Sequence, residues 1–446
     1  MSAPALLSPA GVVGMPDLLV GRRPGSAKAF PSGVASDVPS RWVEVVAERD
    51  IIAAVREARE HGGQVRAVGS GGSKNDCFRT TGTALRFDRY DRVLALAGDA
   101  VTVQAGATVG ALNDALRRHG LALPTHGEWA GATVAGAVAT GTHGGSVAHG
   151  LVSTSIKTVR LITADGTPLD IHRGSALFPH VAVSLGMLGI LSTITFECVP
   201  RFHLEMIMRV VPFEQYLRDH DAENRAHEFY SASWIPTARR VITFAANRVP
   251  APGRTRRRRE RFCCATFLWA ALSRRLHLPA LPARWFTARA VDAGDRMISP
   301  IQNGSRRVQL LRFLTRDWKA AEFAVPLSRA AETLTALDRL IADHRHALTN
   351  PVGLRATAAD GFSLSPCYGT DTYWIDLFYR ERDGFAPALR QLFEGLGARC
   401  HWGKHIGLSE RHLRRQYPRW DEFRTARAAL DPDGVFTNDF TRRFEP

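Results

Sequence analysis

The sequence predicts an α+β protein with two domains. Three observations carry this. The chain has 446 residues, more than one simple core usually organises. At 45% apolar and 23% charged residues its composition is that of an ordinary globular protein. Short strand and helix patterns alternate through the first third and return in the tail.

Residues 1–40 read as a flexible lead-in. Prolines and glycines interrupt the opening MSAPALLSPAGVVGMPDLLVGRR, and no basic residue precedes its apolar stretch. The first domain is then expected over 41–204. Residues 51–61 have helical apolar spacing, closed by Gly62 and Gly63. Strand patterns follow at 64–68, 85–87, 93–96 and 101–103. Residues 109–119 read as a helix ending at Gly120. Asp165 and Gly166 mark a hairpin turn between strands at 156–163 and 168–172, and 190–199 is a β-branched strand.

The second domain is expected over 205–400. Its pattern is less regular as far as about residue 345, with a strand near 308–314 and a long helix at 328–344. Residues 376–379 read as strand, and 385–395 and 409–417 as helices. A last segment, 401–446, is expected to return to the first domain. No run approaches the roughly 18 apolar residues that a membrane span requires.

The net charge of +15 is concentrated. Between residues 251 and 290 ten arginines stand against one acid, Glu260. Such a window reads as a solvated insertion. The alternative is a patch for an anionic membrane surface or partner, because the apolar FCCATFLWAAL follows directly. No recognition motif accompanies the charge, so no nucleic-acid partner is expected. Cys77, Cys198, Cys263, Cys264, Cys367 and Cys400 form no C-x-x-C or zinc-like spacing. They are expected as reduced thiols in a cytoplasmic protein, with no metal site.

Residues 131–150, GATVAGAVATGTHGGSVAHG, have almost no side-chain bulk, so their backbone can approach a ligand closely. Thr133, Thr140, Thr142, His143, Ser146 and His149 add single polar groups, as a lined wall would. A tightly packed Gly/Ala turn region is the bland alternative. Some sixty residues earlier, VRAVGSGGSKND runs from a strand into a second glycine-rich loop. It lacks the G-x-G-x-x-G spacing of a dinucleotide fingerprint, and no helix pattern opens after it.

With these motifs the chain resembles flavoproteins of the vanillyl-alcohol-oxidase superfamily. The resemblance is greatest to the alditol oxidase and aldonolactone (gulonolactone, arabinonolactone) oxidase group. It rests on Gly69–Ser70–Gly71–Gly72–Ser73 as the pyrophosphate loop and on the wall from Ala132 to Gly145. Ser184–Leu185–Gly186–Met187–Leu188–Gly189–Ile190, His401–Trp402–Gly403–Lys404 and the closing LDPDGVFTN from Leu430 to Asn438 complete it. It implies a two-subdomain, PCMH-type FAD-binding domain with an α+β substrate (cap) domain. FAD would be held by the loop residues and by Thr133, Gly136, Thr140, Gly141, His143, Gly144, Gly145 and Ser146. Ile190, through its backbone, Lys404 and Asn438 would complete that site.

Two departures qualify the resemblance. The group's loop carries a histidine bonded covalently to the flavin, but here that position is Gly72, so non-covalent FAD is expected. The group's V-E-x-R strand corresponds to Val352–Gly353–Leu354–Arg355, so the arginine remains while the carboxylate is lost.

Arg355 and Lys404 are expected to orient the substrate oxygen and to place positive charge beside the flavin. Asp376 is a candidate to replace the lost carboxylate. Thr133, Phe378 and His401 are expected at the substrate pocket, where the bulk of Phe378 alters polyol recognition. The leading expectation is FAD-dependent oxidation of a hydroxylated carbon of a sugar, polyol, lactone or nucleoside-like molecule, with O2 as acceptor. The alternatives are a redox-neutral dehydratase or epimerase working by transient oxidation, and a non-catalytic flavin-binding protein.

Overall fold

A computed structural model describes residues 39–250, 286–292, 318–344, 347–348, 351–381 and 384–444. The lead-in as far as residue 38, the basic window as far as 285 and the strand expected at 308–314 lie outside the described residues. The final part of the basic window, from Phe286, is a strand.

In chain order the first half runs β1 (Arg41–Glu44), α1 (Glu48–Glu60), β2 (Val65–Val68), β3 (Thr83–Arg86), β4 (Val93–Ala97) and β5 (Ala100–Gln104). It continues through α2 (Val109–Arg118), β6 (Leu121–Ala122), α3 (Val134–Thr140), β7 (Ile156–Ile162), β8 (Pro168–His172), α4 (Phe178–Val181) and β9 (Ile190–Glu197). Ile51, Ala54, Val55 and Ala58 recur along α1 at helical spacing and are buried, so this helix packs by one stripe. It links β1 and β2, which both pair in parallel with β3. A five-stranded antiparallel sheet, ordered β4-β5-β9-β7-β8, stands beside this unit.

The second half begins with β10 (Val199–Pro200), β11 (His203–Pro212), α5 (Phe213–Ala226), β12 (Phe229–Ile235), β13 (Arg240–Val249), β14 (Phe286–Asp292) and β15 (Trp318–Pro326). Then come α6 (Ala330–Asp343), β16 (Val352–Thr357), β17 (Thr372–Arg380), α7 (Phe385–Gly395) and β18 (Arg399–Cys400). The chain closes with α8 (Glu410–Gln416), α9 (Trp420–Leu430) and α10 (Asp439–Arg442). Among the described residues eight strands form one antiparallel sheet in the order β14-β11-β13-β12-β16-β17-β15-β18.

The described parts of the stretch from 205 to 345 are therefore far more regular than the sequence pattern implies. Its central strands are buried on both faces: Phe229, Tyr230, Ser231 and Ala232 are all buried in succession. A doubly covered strand loses the alternation by which strands are recognised. Helices α5 and α6 pack beside this sheet. The carboxy-terminal segment returns to the first half, where Val65 N–H donates to the Val435 carbonyl at 2.8 Å. No described helix is long and apolar enough to cross a membrane.

Candidate active site

Strand register builds the centre of the site. Asp376 on β17 stands opposite Gly353 on β16 and opposite Glu322 on β15. Opposed residues in an antiparallel ladder share a face, so these three positions form one row across three strands. Two residues along β16, on the same face, Arg355 pairs with Trp374. The turn after β18 brings His401 and Lys404 over this row, with His401 N–H donating to the Glu322 carbonyl at 2.9 Å.

The charged groups meet at short range. Arg355 Nη2 lies 2.9 Å from Glu128 Oε1, and Arg355 Nη1 lies 3.7 Å from Glu322. Lys404 Nζ lies 3.1 Å from Asp376 Oδ1 and 3.6 Å from Glu322 Oε2. Three carboxylates thus face two fixed cations. Burial pushes Asp376 up, Lys404 and Arg355 oppose the rise and Glu322 adds to it; the net position is above the ordinary aspartate value. Burial likewise raises Glu128 against the pull of Arg355. For Glu322 burial acts upward too, but Lys404, His143 and Arg355 outweigh it and hold the carboxyl well below the usual range. One acid is thereby fixed as an anion while two are poised to hold or take a proton.

Histidines close the site. His143 stacks on Trp374 with ring centroids 3.8 Å apart, donates from Nδ1 to the Gly144 carbonyl and places Nε2 3.3 Å from Glu322. Burial lowers His401 to about 3, so its ring is neutral at physiological pH, and its Nδ1 accepts from Gly403 N–H. His143, Glu322 and His401 offer donor atoms within 4.8 Å of one another. The cations 3.6 and 3.7 Å from Glu322 already answer its charge, which opposes a metal ion there.

The expected cofactor cradle lies against this cluster. The N–H groups of Ser70, Gly71, Gly72 and Ser73 donate to no protein acceptor among the described residues. Gly71 has φ +63°, which turns the loop back on itself. Such a run of N–H groups without protein acceptors can serve an anion, so the residues present fit a pyrophosphate. The opposing wall contains α3, capped by Thr133, whose Oγ1 accepts from Gly136 N–H, and ended by Gly141 at φ +75°. A Cβ on Gly69 would collide with Thr133 Oγ1, and Ser70 Oγ donates to the Gly131 carbonyl. Loop and wall are thus in contact, and glycine is what permits it.

The other expected residues fall into two groups. Arg355, Lys404, Asp376, His143 and His401 converge, and Phe378 lies beside them with Lys404 Nζ 5.6 Å from its ring centroid. The remainder frame the site. Thr140 Oγ1 bonds back to the Gly136 carbonyl, and Thr133 is committed to its cap. The Gly145 carbonyl accepts from Tyr230 N–H, while Ser146 Oγ donates to the Glu228 carbonyl, so both join the wall to the large sheet. Ile190 opens β9 opposite Ile162. The Asn438 amide donates to the carbonyls of Asp76, Cys77 and Arg79 and caps α10, fixing the turn after the glycine loop.

Sequence reasoning missed Glu128, Glu322 and Arg66. Glu322 carried a signal, as a lone acid within the otherwise apolar strand core AAEFAV. Arg66 is buried and donates to the carbonyls of Leu185 (2.5 Å), Phe436 (2.6 Å), Gly186 (3.3 Å) and Cys77. It thereby holds the segment where Val183 and Leu185 adopt φ of +55° and +54°.

Comparison with known proteins places the chain in a family. The profile of an FAD-binding domain matches residues 39–172, and that of D-arabinono-1,4-lactone oxidase matches residues 194–444. An L-gulono-1,4-lactone dehydrogenase from Mycobacterium tuberculosis is 29% identical, over 91% of this chain and 96% of its own. An alditol oxidase from a Streptomyces species is 31% identical, over 81% of this chain and 85% of its own. The fold also matches the crystal structure of cholesterol oxidase from Brevibacterium sterolicum, with TM-score 0.69 at 14% identity, over 91% of this chain and 94% of that one. The chain therefore belongs to the D-arabinono-1,4-lactone oxidase family and is an FAD-dependent oxidoreductase of the group that includes the gulonolactone and alditol oxidases.

Proposed function

We propose that the protein oxidises a hydroxylated carbon of a neutral, sugar-derived molecule, an aldonolactone or an alditol, with non-covalent FAD and with O2 as the acceptor. The observation that carries this reading is the convergence of Arg355, Lys404 and Asp376 against the glycine-lined wall. Bound FAD supplies the two-electron acceptor for a carbon-bound hydrogen.

The residues divide the remaining work. Asp376, raised toward neutrality by burial, takes the proton of the substrate hydroxyl. Lys404, 3.1 Å from Asp376, holds the hydroxyl oxygen and steadies the alkoxide that results. Arg355, kept charged by Glu128, Glu322 and Asp376 against its burial, offsets negative charge as it develops. Neutral His401 and Phe378 form the pocket wall. Non-covalent attachment is supported by Gly72, which offers no nucleophile. The four described cysteines, all buried free thiols, support a cytoplasmic setting. The two large sheets support a cofactor unit over 41–204, a substrate unit over 205–400 and a returning tail.

The test is anaerobic mixing of the holoprotein with panels of aldonolactones and alditols while the flavin absorbance is followed. Bleaching by a member of either class, and peroxide released in proportion to product in air, is the expected result. Product without peroxide or any other reduced acceptor would indicate redox-neutral chemistry instead. Absence of bleaching across both panels would leave a flavin-binding protein without this activity.

A further inference from the structure

The indole of Trp129 lies where a side chain at position 72 would stand. A Cβ built on Gly72 would overlap Trp129 Cζ3 and lie 2.7 Å from Cη2 and 2.9 Å from Cε3. The other edge of the same indole covers Gly131, whose Cβ would lie 2.8 Å from Nε1 and 2.9 Å from Cε2. The ring is thus wedged between the glycine loop and the glycine wall. It continues a series of contacts between them that runs Gly69 to Thr133, Ser70 to Gly131 and Gly72 to Trp129. Gly72 lies outside the left-handed region, so its backbone accepts any residue and the exclusion is steric alone.

The residue before Trp129 joins this wedge to the catalytic cluster, because Glu128 is the carboxylate 2.9 Å from Arg355. Trp129 therefore sits at the junction of phosphate cradle, wall and active site. A large, partly exposed aromatic surface there is suited to pack against a flat heteroaromatic ring.

We propose that Trp129 is a cofactor-positioning residue: its indole occupies the space of the family's tethering histidine, bars a covalent bond from position 72 and replaces that bond by packing. This rests on the reading that the protein binds FAD without a covalent link. The exchange is paired, since with the indole in this position a side chain at 72 has no room.

The test uses the full-length holoprotein and four variants: Gly72→His, Trp129→Ala, Gly72→His/Trp129→Ala and Trp129→Phe. Flavin in the acid-precipitated pellet measures covalent attachment, and recovery of flavin fluorescence on dilution measures dissociation. Attachment in the double variant would join the histidine nitrogen to the flavin 8-methyl carbon. One hydrogen from each would leave, and the electron pair would pass to dioxygen as hydrogen peroxide.

The expected result is that parent and Gly72→His release all their flavin, while the double variant retains flavin in the pellet. Trp129→Ala should raise the FAD dissociation constant about tenfold, the loss of one aromatic contact and its buried area, and Trp129→Phe should recover most of it. Full attachment in Gly72→His alone, no attachment in the double variant, or unchanged affinity in Trp129→Ala would each overturn the proposal. A parent protein that holds its flavin in the pellet, or contains none, would instead overturn the reading on which the proposal rests.

Discussion

Asp376 stands directly across the β16–β17 ladder from Gly353, and a Cβ on Gly353 would lie 3.2 Å from the Cβ of Asp376. A carboxylate on either strand would therefore reach the same place, but both together are crowded. Asp376→Asn should lower kcat by about a hundredfold or more, the usual scale for a lost general base, and leave the bound flavin spectrum unchanged. Gly353→Glu combined with Asp376→Gly should be at least about tenfold faster than Asp376→Asn. Steady-state rates of the two variants decide this, and equal rates would reject the exchange of carboxylates between strands.

Activity should fall on the acid side as Asp376 takes up a proton. Its raised position places that limb above the ordinary aspartate range. Lys404 is the largest of the charges that pull Asp376 down, so Lys404→Gln should move the limb to higher pH while lowering kcat/KM. The pH profile of kcat/KM checks both, and a limb that stays in place in the variant would remove Asp376 from the role.

Asp360 gives a stability test away from the chemistry. Burial raises it to about 6, against hydrogen bonds from Ser365 Oγ at 2.6 Å and Phe362 N–H at 3.0 Å. A folded-state pKa above the unfolded one contributes stability that is complete below the unfolded value and is lost as pH rises through the folded value. The native protein should therefore lose about 1–3 kcal/mol between pH 4 and pH 7 at this site. Asp360→Asn escapes that loss, so its advantage in Tm should be larger at pH 7 than at pH 4.

Arg66 clasps four carbonyls from three parts of the chain. Arg66→Met leaves buried acceptors without donors and should cost about 3 kcal/mol or more. Hydrogen exchange should quicken first at residues 183–190 and 431–438, the segments it joins. Uniform quickening across the molecule would deny the clasp a local role.

The first half of the fold was largely legible because its signals are local. The stripe of α1, the apolar spacing of α2 up to Gly120 and the turn at Asp165 and Gly166 each follow from a few neighbouring residues. Strands β12 and β13 were not legible, because burial on both faces erased their alternation. In the candidate site, the glycine motifs could be read from residue type and spacing, and Arg355 and Lys404 from their resemblance to the family's motifs. Glu128 could not, since it belongs to no motif, and Glu322 signalled only as a lone acid in an apolar strand.

By itself the sequence determined where the glycine-rich motifs lie and that positions 72 and 353 carry no side chain, and its resemblance to a family singled out Arg355 and Lys404 as candidates. These are properties of residue type, and backbone conformation near glycine is a local matter. Only the tertiary structure decided what filled the two gaps. Strand register set Asp376 and Glu322 beside Gly353, and loop packing set Trp129 over Gly72. Both are contacts between distant segments, fixed by which faces are buried together, and no window of sequence contains that information.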